Sequence, residues 1–387
     1  MFREDYELNR GSGEIVQILG DSCNNAADLV QDLEAFAESK TGAIASIAER
    51  LTVSREIVQK TISDHAGAWA ACRQRIKKSQ HYNGLDLKPQ LGLIPLGPDP
   101  DSELEEFLHS LTHEGEVPER NSAGKIVVTD DLGVVLVLIP GGTFLMGSQK
   151  EDPEKPNFDP VSVANERPVN EVELRAYFLS KYEMTQSQWQ RAFGTNPSRY
   201  AAGFNNPAMK APVNLKHPVE RVSWLDCQTF LPRVVLLLPT EAEWERGARA
   251  GQDDQVYAGT SRIEDLKIFA NINGSETKVA GWGNRQPGHK DDYVIHAPVG
   301  SFQANAFGLF DMTGNVLEWC QDGLFGYESK AGNRGFRGVS ESYKFRVFRG
   351  GSFFDPASFA RVANRSSISP ESRLNTLGVR PSRIVTF

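Results

Sequence analysis

The side chains able to do redox, metal or nucleophilic chemistry are few and widely spaced. Four cysteines, Cys23, Cys72, Cys227 and Cys320, stand among 387 residues with no CxxC pair. That spacing makes a structural zinc site or a disulfide scaffold improbable. The seven histidines, His65, His217, His289 and His296 among them, form no HxH or HExxH motif. His109 and His113 stand four apart, but on an acidic segment, so ordinary surface histidines are expected. No GxSxG elbow occurs, and FRGGSF lacks the lysine of a phosphate-binding loop. A Ser-His-Asp set assembled by the fold stays open.

The elements that must position these groups change character along the chain. Composition is that of a soluble globular protein: 40% hydrophobic and 24% charged, with 34 glycines and 21 prolines that suit a loop-rich fold. The 42 basic and 50 acidic residues leave a net charge of −8, so nucleic acid and anionic membranes are unlikely partners on electrostatic grounds. Residues 1–120 hold 12 basic and 21 acidic residues, so the first third carries the negative charge. The mixed-charge start MFREDYELNR is not a signal peptide, and the longest apolar run, Val134 to Ile139, is too short to span a bilayer. A cytoplasmic protein is expected.

Residues 1–84 are expected to form an all-α module. Leu29, Leu33 and Phe36, then Ile44, Ile47, Leu51 and Ile57, recur at helical spacing. IASIAERLTVSREIVQKTI has the helix, polar turn and helix of a helix-turn-helix, which leaves a DNA-binding regulator as an alternative. The acidic surroundings favour a small bundle that docks to a partner or self-associates. Residues 85–124 read as an acidic Pro/Gly-containing linker with one short helix at Ser102–Leu111. From residue 125, KIVVTDDLGVVLVLI predicts a hairpin about Asp130–Gly133. Helices are predicted at Thr185–Phe193 and Thr240–Ala250, where Thr240 and Glu243 have capping-box spacing. The class is α+β with long irregular connections.

Seven segments occur in order: IPGGTFLMGS (139–148), YEMTQSQWQRAF (182–193), PVERVSWLDCQTF (218–230), LPTEAEWERGARAG (238–251), APVGSFQANAFGLFDMTGNVLEWCQD (297–322), FRGGSF (348–353) and RVANRSSISPESRLNTLGVRP (361–381). Together they resemble the formylglycine-generating enzyme (sulfatase-modifying factor) family. The resemblance implies a C-type lectin-like domain over residues 125–387. It also implies two copper-binding cysteines near the C-terminus, and their matching positions here are Ala357 and Val362. No thiol follows Cys320. Alanine and valine can neither ligate copper nor cycle electrons. Neither copper nor formylglycine-generating oxidoreductase activity is therefore expected, and an enzyme of other chemistry on this fold is the alternative.

The last motif also resembles the variable region of a diversity-generating retroelement variable protein, here residues 346–383. RGGS, ARVANR and LGVRP form the frame. Between them lie Phe353, Phe354, Asp355, Ala357, Ser358, Phe359, Ser366, Ser367, Ile368, Ser369, Ser372, Leu374, Asn375 and Thr376. The resemblance implies a displayed surface for an unknown protein or other macromolecular ligand. Aromatic residues would give rigid contact area and the serines and Asn375 adaptable hydrogen bonds. Phe353 and Phe354 are consecutive, so in an extended segment one faces away from the core. The family likeness further implies structural calcium. One set is Asp311 and Glu318 with the Gly314 and Val316 carbonyls. The second is Asn271 and Asp291 with the Ile272 and Tyr293 carbonyls. All are hard oxygen donors.

Overall fold

The computed structural model describes residues 55–281, 283–327 and 344–387. Its contacts divide the chain into Met1–Ser63 and Asp64–Phe387. In the first unit, Gln59–Ser63 is one π-helical turn, and Thr61 Oγ1 donates to the Ile57 carbonyl (2.5 Å). The helices predicted before residue 55, and much of the helix-turn-helix match, lie outside the described residues.

The strands of the second unit are, in chain order, β1 Leu93–Pro98, β2 Glu105–His109, β3 Val135–Ile139, β4 Gly142–Met146, β5 Asn170–Leu174 and β6 Tyr177–Ser180. They continue with β7 Leu317–Gly323, β8 Arg346–Arg349, β9 Ser366–Ile368, β10 Leu377–Gly378 and β11 Ser382–Ile384. Its main helices are α1 Ala66–Lys78, α2 Gln186–Phe193, α3 Trp224–Phe230 and α4 Glu241–Arg249. The run Val-Leu-Val-Leu-Ile of β3 is apolar at every position, which suits a strand covered on both faces. All five of its residues are buried, and it sits centrally in an antiparallel sheet ordered β1-β2-β3-β6-β11. A second sheet is ordered β10-β7-β8-β9, with β10 parallel to β7. β4 and β5 pair separately. The class is α+β, as the sequence indicates.

Capping chemistry sets the helix starts. Thr185 Oγ1 accepts the Gln188 N–H (3.2 Å) while Gln188 Oε1 accepts the Thr185 N–H (3.0 Å). Thr240 and Glu243 make the same exchange (3.1 and 2.9 Å), so α2 and α4 begin where their capping boxes place them. Gly194 at φ 75° closes α2, a conformation that favours glycine.

Four expectations are corrected. Residues 85–124 are not a spacer, because β1 and β2 belong to the main sheet. The acidic helix expected at Ser102–Leu111 is instead β2 followed by a short 3₁₀ turn. Glu105 and Glu106 of β2, and Asp99 before it, are buried against bases far away in sequence: Glu105 with Arg75 (2.9 Å), Glu106 with Arg120 (2.8 Å) and Lys181, and Asp99 with Lys181 (2.8 Å). Local periodicity cannot register such partners. Nor do residues 1–84 act as one module, since α1 packs on the sheet: Trp69, Cys72 and Ile76 are buried, and the Trp69 and Phe107 rings lie 5.6 Å apart. Finally, Lys125–Thr129 does not pair with β3; Ile126 bridges Arg120 instead. Among the described residues, no helix is long and apolar enough to cross a membrane.

Candidate functional site

The C-terminal motif folds as a rigid frame with a surface between its fixed points. β8 is followed by Gly350 (φ 99°) and Gly351 (φ 73°). A Cβ on Gly351 would lie 2.8 Å from Ala360 Cα, so the turn closes only with glycine. Four buried arginines then tie the frame to the body. Arg349 binds Glu245 and the Ala363 carbonyl (2.9 Å). Arg361 holds Glu166 (2.7 Å) and Asp159 (2.5 Å). Arg365 pairs with Glu241 (2.7 Å). Arg380 reaches Glu318 (2.7 Å) and the Ser180 and Phe310 carbonyls. Buried pairs with satisfied hydrogen bonds fix geometry, and losing one partner costs about 3–5 kcal/mol.

Between these ties the chain turns outward. Phe354 is 48% exposed, Phe359 45% and Leu374 36%. Together with Asp355, Ser366 and Thr376 they line a hollow of about 220 Å³. Its other walls are Leu317, Phe348, Arg349, Ser352 and Asn364. These five were not singled out in the sequence. They are frame residues or strand residues of β7 and β8, brought in only by sheet pairing. Ser358 is exposed, and Ser367, Ile368, Ser369, Ser372 and Asn375 are partly exposed outside the hollow. Asn375 Nδ2 donates to the Tyr200 hydroxyl (3.0 Å).

Two of the candidate surface residues face inward. Phe353 is 1% exposed, packed with Val213, Ile295 and Val316, its ring 5.9 Å from Tyr200 and 5.8 Å from His296. Ala357 is 1% exposed, clustered with Tyr257, Leu266, Ile272 and Ala360. The alternation that turns Phe354 out turns Phe353 in.

Cys72, Cys227 and Cys320 are buried and free, and burial pushes all three thiols up, away from the reactive thiolate. Ala357 and Val362 are buried aliphatic residues, so the C-terminal motif does not fit copper.

The two oxygen-donor sets named from the sequence occupy one region, where the Asn315 N–H donates to the Asn271 carbonyl (2.8 Å). In the first set, Asp311 Oδ2 accepts the Gly300 N–H (2.8 Å), while Oδ1 is buried with no hydrogen-bond partner. Glu318 is committed to Arg380 and to the Trp244 indole N–H (2.6 Å). In the second set, Asp291 accepts the Ile272 and Tyr293 N–H groups (3.0 and 2.9 Å) and lies 3.0 Å from His289 Nε2. Asn271 Oδ1 is buried and unpartnered. Among the described residues, no cluster of three or more His, Cys, Asp or Glu side chains has metal-site geometry. The region is nevertheless short of positive charge. Glu183, which the sequence reading passed over, accepts the Val316 N–H (2.9 Å) and faces Asp311 and Glu318. Burial, then those two carboxylates, pushes Glu183 well up. Burial likewise carries Asp311 up to about 6, with the Gly300 N–H opposing it.

Surface histidines were expected, and several are buried instead. His217 and His296 meet Nδ1 to Nδ1 at 2.9 Å, and burial holds both below the usual range, His217 down to about 4. His109 sits between Thr112 Oγ1 (3.0 Å) and the Val234 carbonyl (2.9 Å).

Residues 131–384 match the family model described as Sulfatase-modifying factor enzyme 1-like domain. A relative from Thermomonospora curvata, named formylglycine-generating enzyme, is 32% identical over 295 residues, covering 63% of this chain and 92% of its own length. Among solved structures, PvdO from Pseudomonas aeruginosa is similar at a TM-score of 0.51 and 24% identity, covering 70% of this chain and all of that one. Treponema denticola variable protein 1 follows at 0.48 and 22%, again over 70% of this chain and all of its own.

Proposed function

The chain belongs to the family built on the sulfatase-modifying factor enzyme 1-like domain, and from that premise we propose that it is a non-catalytic, cytoplasmic ligand-binding protein. Its ligand surface is the C-terminal segment between the buried arginine ties, diversified in the manner of retroelement variable proteins. The observation that carries this reading is convergence. Six of the fourteen residues read between the frame motifs, Phe354, Asp355, Phe359, Ser366, Leu374 and Thr376, line one hollow. Exposed aromatic and aliphatic side chains on a rigid base give contact area at low entropic cost. The partner is a protein or other macromolecule.

Selection of peptides from a random library against the purified chain tests the reading. Selected peptides should lose at least about tenfold in affinity to a Phe354→Ala, Phe359→Ala, Leu374→Ala variant, since such anchors dominate interfaces. Peptides that bind both proteins equally would refute it.

The second reading, formylglycine-generating oxidoreductase, draws on the 32% identical relative. It lacks the thiols that family chemistry needs, because no cysteine follows Cys320. Incubation with a CxPxR peptide, copper and oxygen should leave the cysteine unconverted by mass spectrometry. Calcium remains part of the proposal in a structural role. The first set would hold it through Asp311 with the Gly314 and Val316 carbonyls, and Asn271 and the Ile272 and Tyr293 carbonyls would serve the second. The ion would supply positive charge where Glu183, Asp311 and Glu318 face Arg380.

A further inference from the structure

The hollow at the C-terminal surface has one feature its aromatic walls do not explain. Asp355 lies on its lining, and its side chain accepts a hydrogen bond from Ser352 Oγ at 2.6 Å. Burial raises its carboxyl, with the Ser352 hydrogen bonds opposing, and no lysine or arginine among the described residues pairs with it. Three buried acids that anchor the frame are matched by bases: Glu166 by Arg361, Glu241 by Arg365 and Glu245 by Arg349. Arg349 also touches the hollow, but its Nη groups are committed to Glu245 and to the Ala363 and Asn364 carbonyls, and its Nε lies 3.4 Å from Glu241. Asp355 thus lines the hollow without a counter-charge, unlike the acids that tie the frame arginines.

We propose that the hollow takes a basic side chain, a lysine ammonium or arginine guanidinium presented by a peptide partner, with Asp355 as its counter-charge. This rests on the ligand-binding reading and names the chemistry of the ligand. Three properties favour it. Phe354 and Phe359 each present about half of their surface to solvent, and aromatic faces attract cations. Leu374 offers an apolar wall for the methylene stem that lysine and arginine carry below the charge. A volume of about 220 Å³ admits one such side chain. A neutral apolar side chain would instead cover Asp355 and leave its charge unpaired, which is unfavourable in a desolvated site.

Pentapeptides with blocked ends, four glycines and one central residue, test this by NMR titration of the full chain at neutral pH. The central residue is arginine, lysine, citrulline or norleucine. Citrulline keeps the shape of arginine without its charge. The arginine and lysine peptides should saturate signals of residues 352–376, with citrulline and norleucine at least about tenfold weaker, as expected for a charge-assisted contact. Asp355→Asn should bring the arginine-to-citrulline ratio close to one. The wild-type comparison stands alone even if that variant does not fold. Equal binding of arginine and citrulline peptides would overturn the inference, and so would an unchanged preference in folded Asp355→Asn. No shift with any of the four would overturn it as well. In the first case the ligand-binding reading survives, since the triple alanine variant judges that reading without reference to charge.

Discussion

Phe353 and Phe354 are neighbours of identical chemistry, and the structure assigns them opposite work. Phe353 is 1% exposed and closes a small cluster with Val213, Ile295 and Val316. Phe354 is 48% exposed at the rim of the hollow. Truncating a fully buried phenylalanine removes its transfer energy and leaves a cavity, a loss of about 3–5 kcal/mol. Truncating one that is half exposed forfeits on the order of 1 kcal/mol, part of the ~1.5–3 kcal/mol for full burial. Chemical denaturation of Phe353→Ala and Phe354→Ala, with unchanged slopes against denaturant, reads the difference directly. Phe353→Ala should be the less stable by at least about 2 kcal/mol. Selected ligands should weaken with Phe354→Ala far more than their stability change explains. Equal stability losses, or a larger loss for Phe354→Ala, would refute the division into scaffold and surface.

Other perturbations address other parts of the account. Arg380→Met removes the base that Glu318 binds at 2.7 Å and leaves it beside Glu183 and Asp311, so stability should fall by about 3–5 kcal/mol in the same denaturation assay. Glu220 is fully buried, and burial carries its carboxyl up to about 7 from an ordinary 4.5, with the Tyr200 and Arg199 N–H groups opposing. A raised folded-state value means that the unfolded chain releases this proton first. Wild-type stability should therefore decline relative to Glu220→Gln as pH rises from about 4.5 to 7, by on the order of 3 kcal/mol, and the difference should then level off. A chelator should lower the wild-type melting temperature and lower that of Asp311→Ala by less; no chelator effect on the wild type would remove calcium from the account.

Legibility in the sequence followed how local each cause was. The starts of α2 and α4 were readable because a capping box is complete within four residues, at Thr185–Gln188 and Thr240–Glu243. The run Val135–Ile139 was readable because a strand buried on both faces is apolar throughout. The strand at Glu105–His109 was not, because its acids look solvated until Arg75, Arg120 and Lys181 arrive from elsewhere. The same limit hid Glu183, Leu317 and Phe348, which reach their sites only through tertiary pairing. In the C-terminal segment the frame motifs were visible as arginines and glycines. Which of two adjacent phenylalanines faced inward was not, since sequence alternation leaves the phase open.

The central claim is that the exposed residues between the buried ties vary freely while the frame does not. A library that randomises Phe354, Phe359, Ser366, Leu374 and Thr376 together, displayed and sorted by resistance to proteolysis, measures this directly. The account predicts that most members stay as resistant as the wild type. A matched library at Phe353, Gly351, Arg361 and Arg365 should be lost almost entirely. Similar survival of the two libraries, or collapse of the first, would contradict a rigid frame carrying a variable surface.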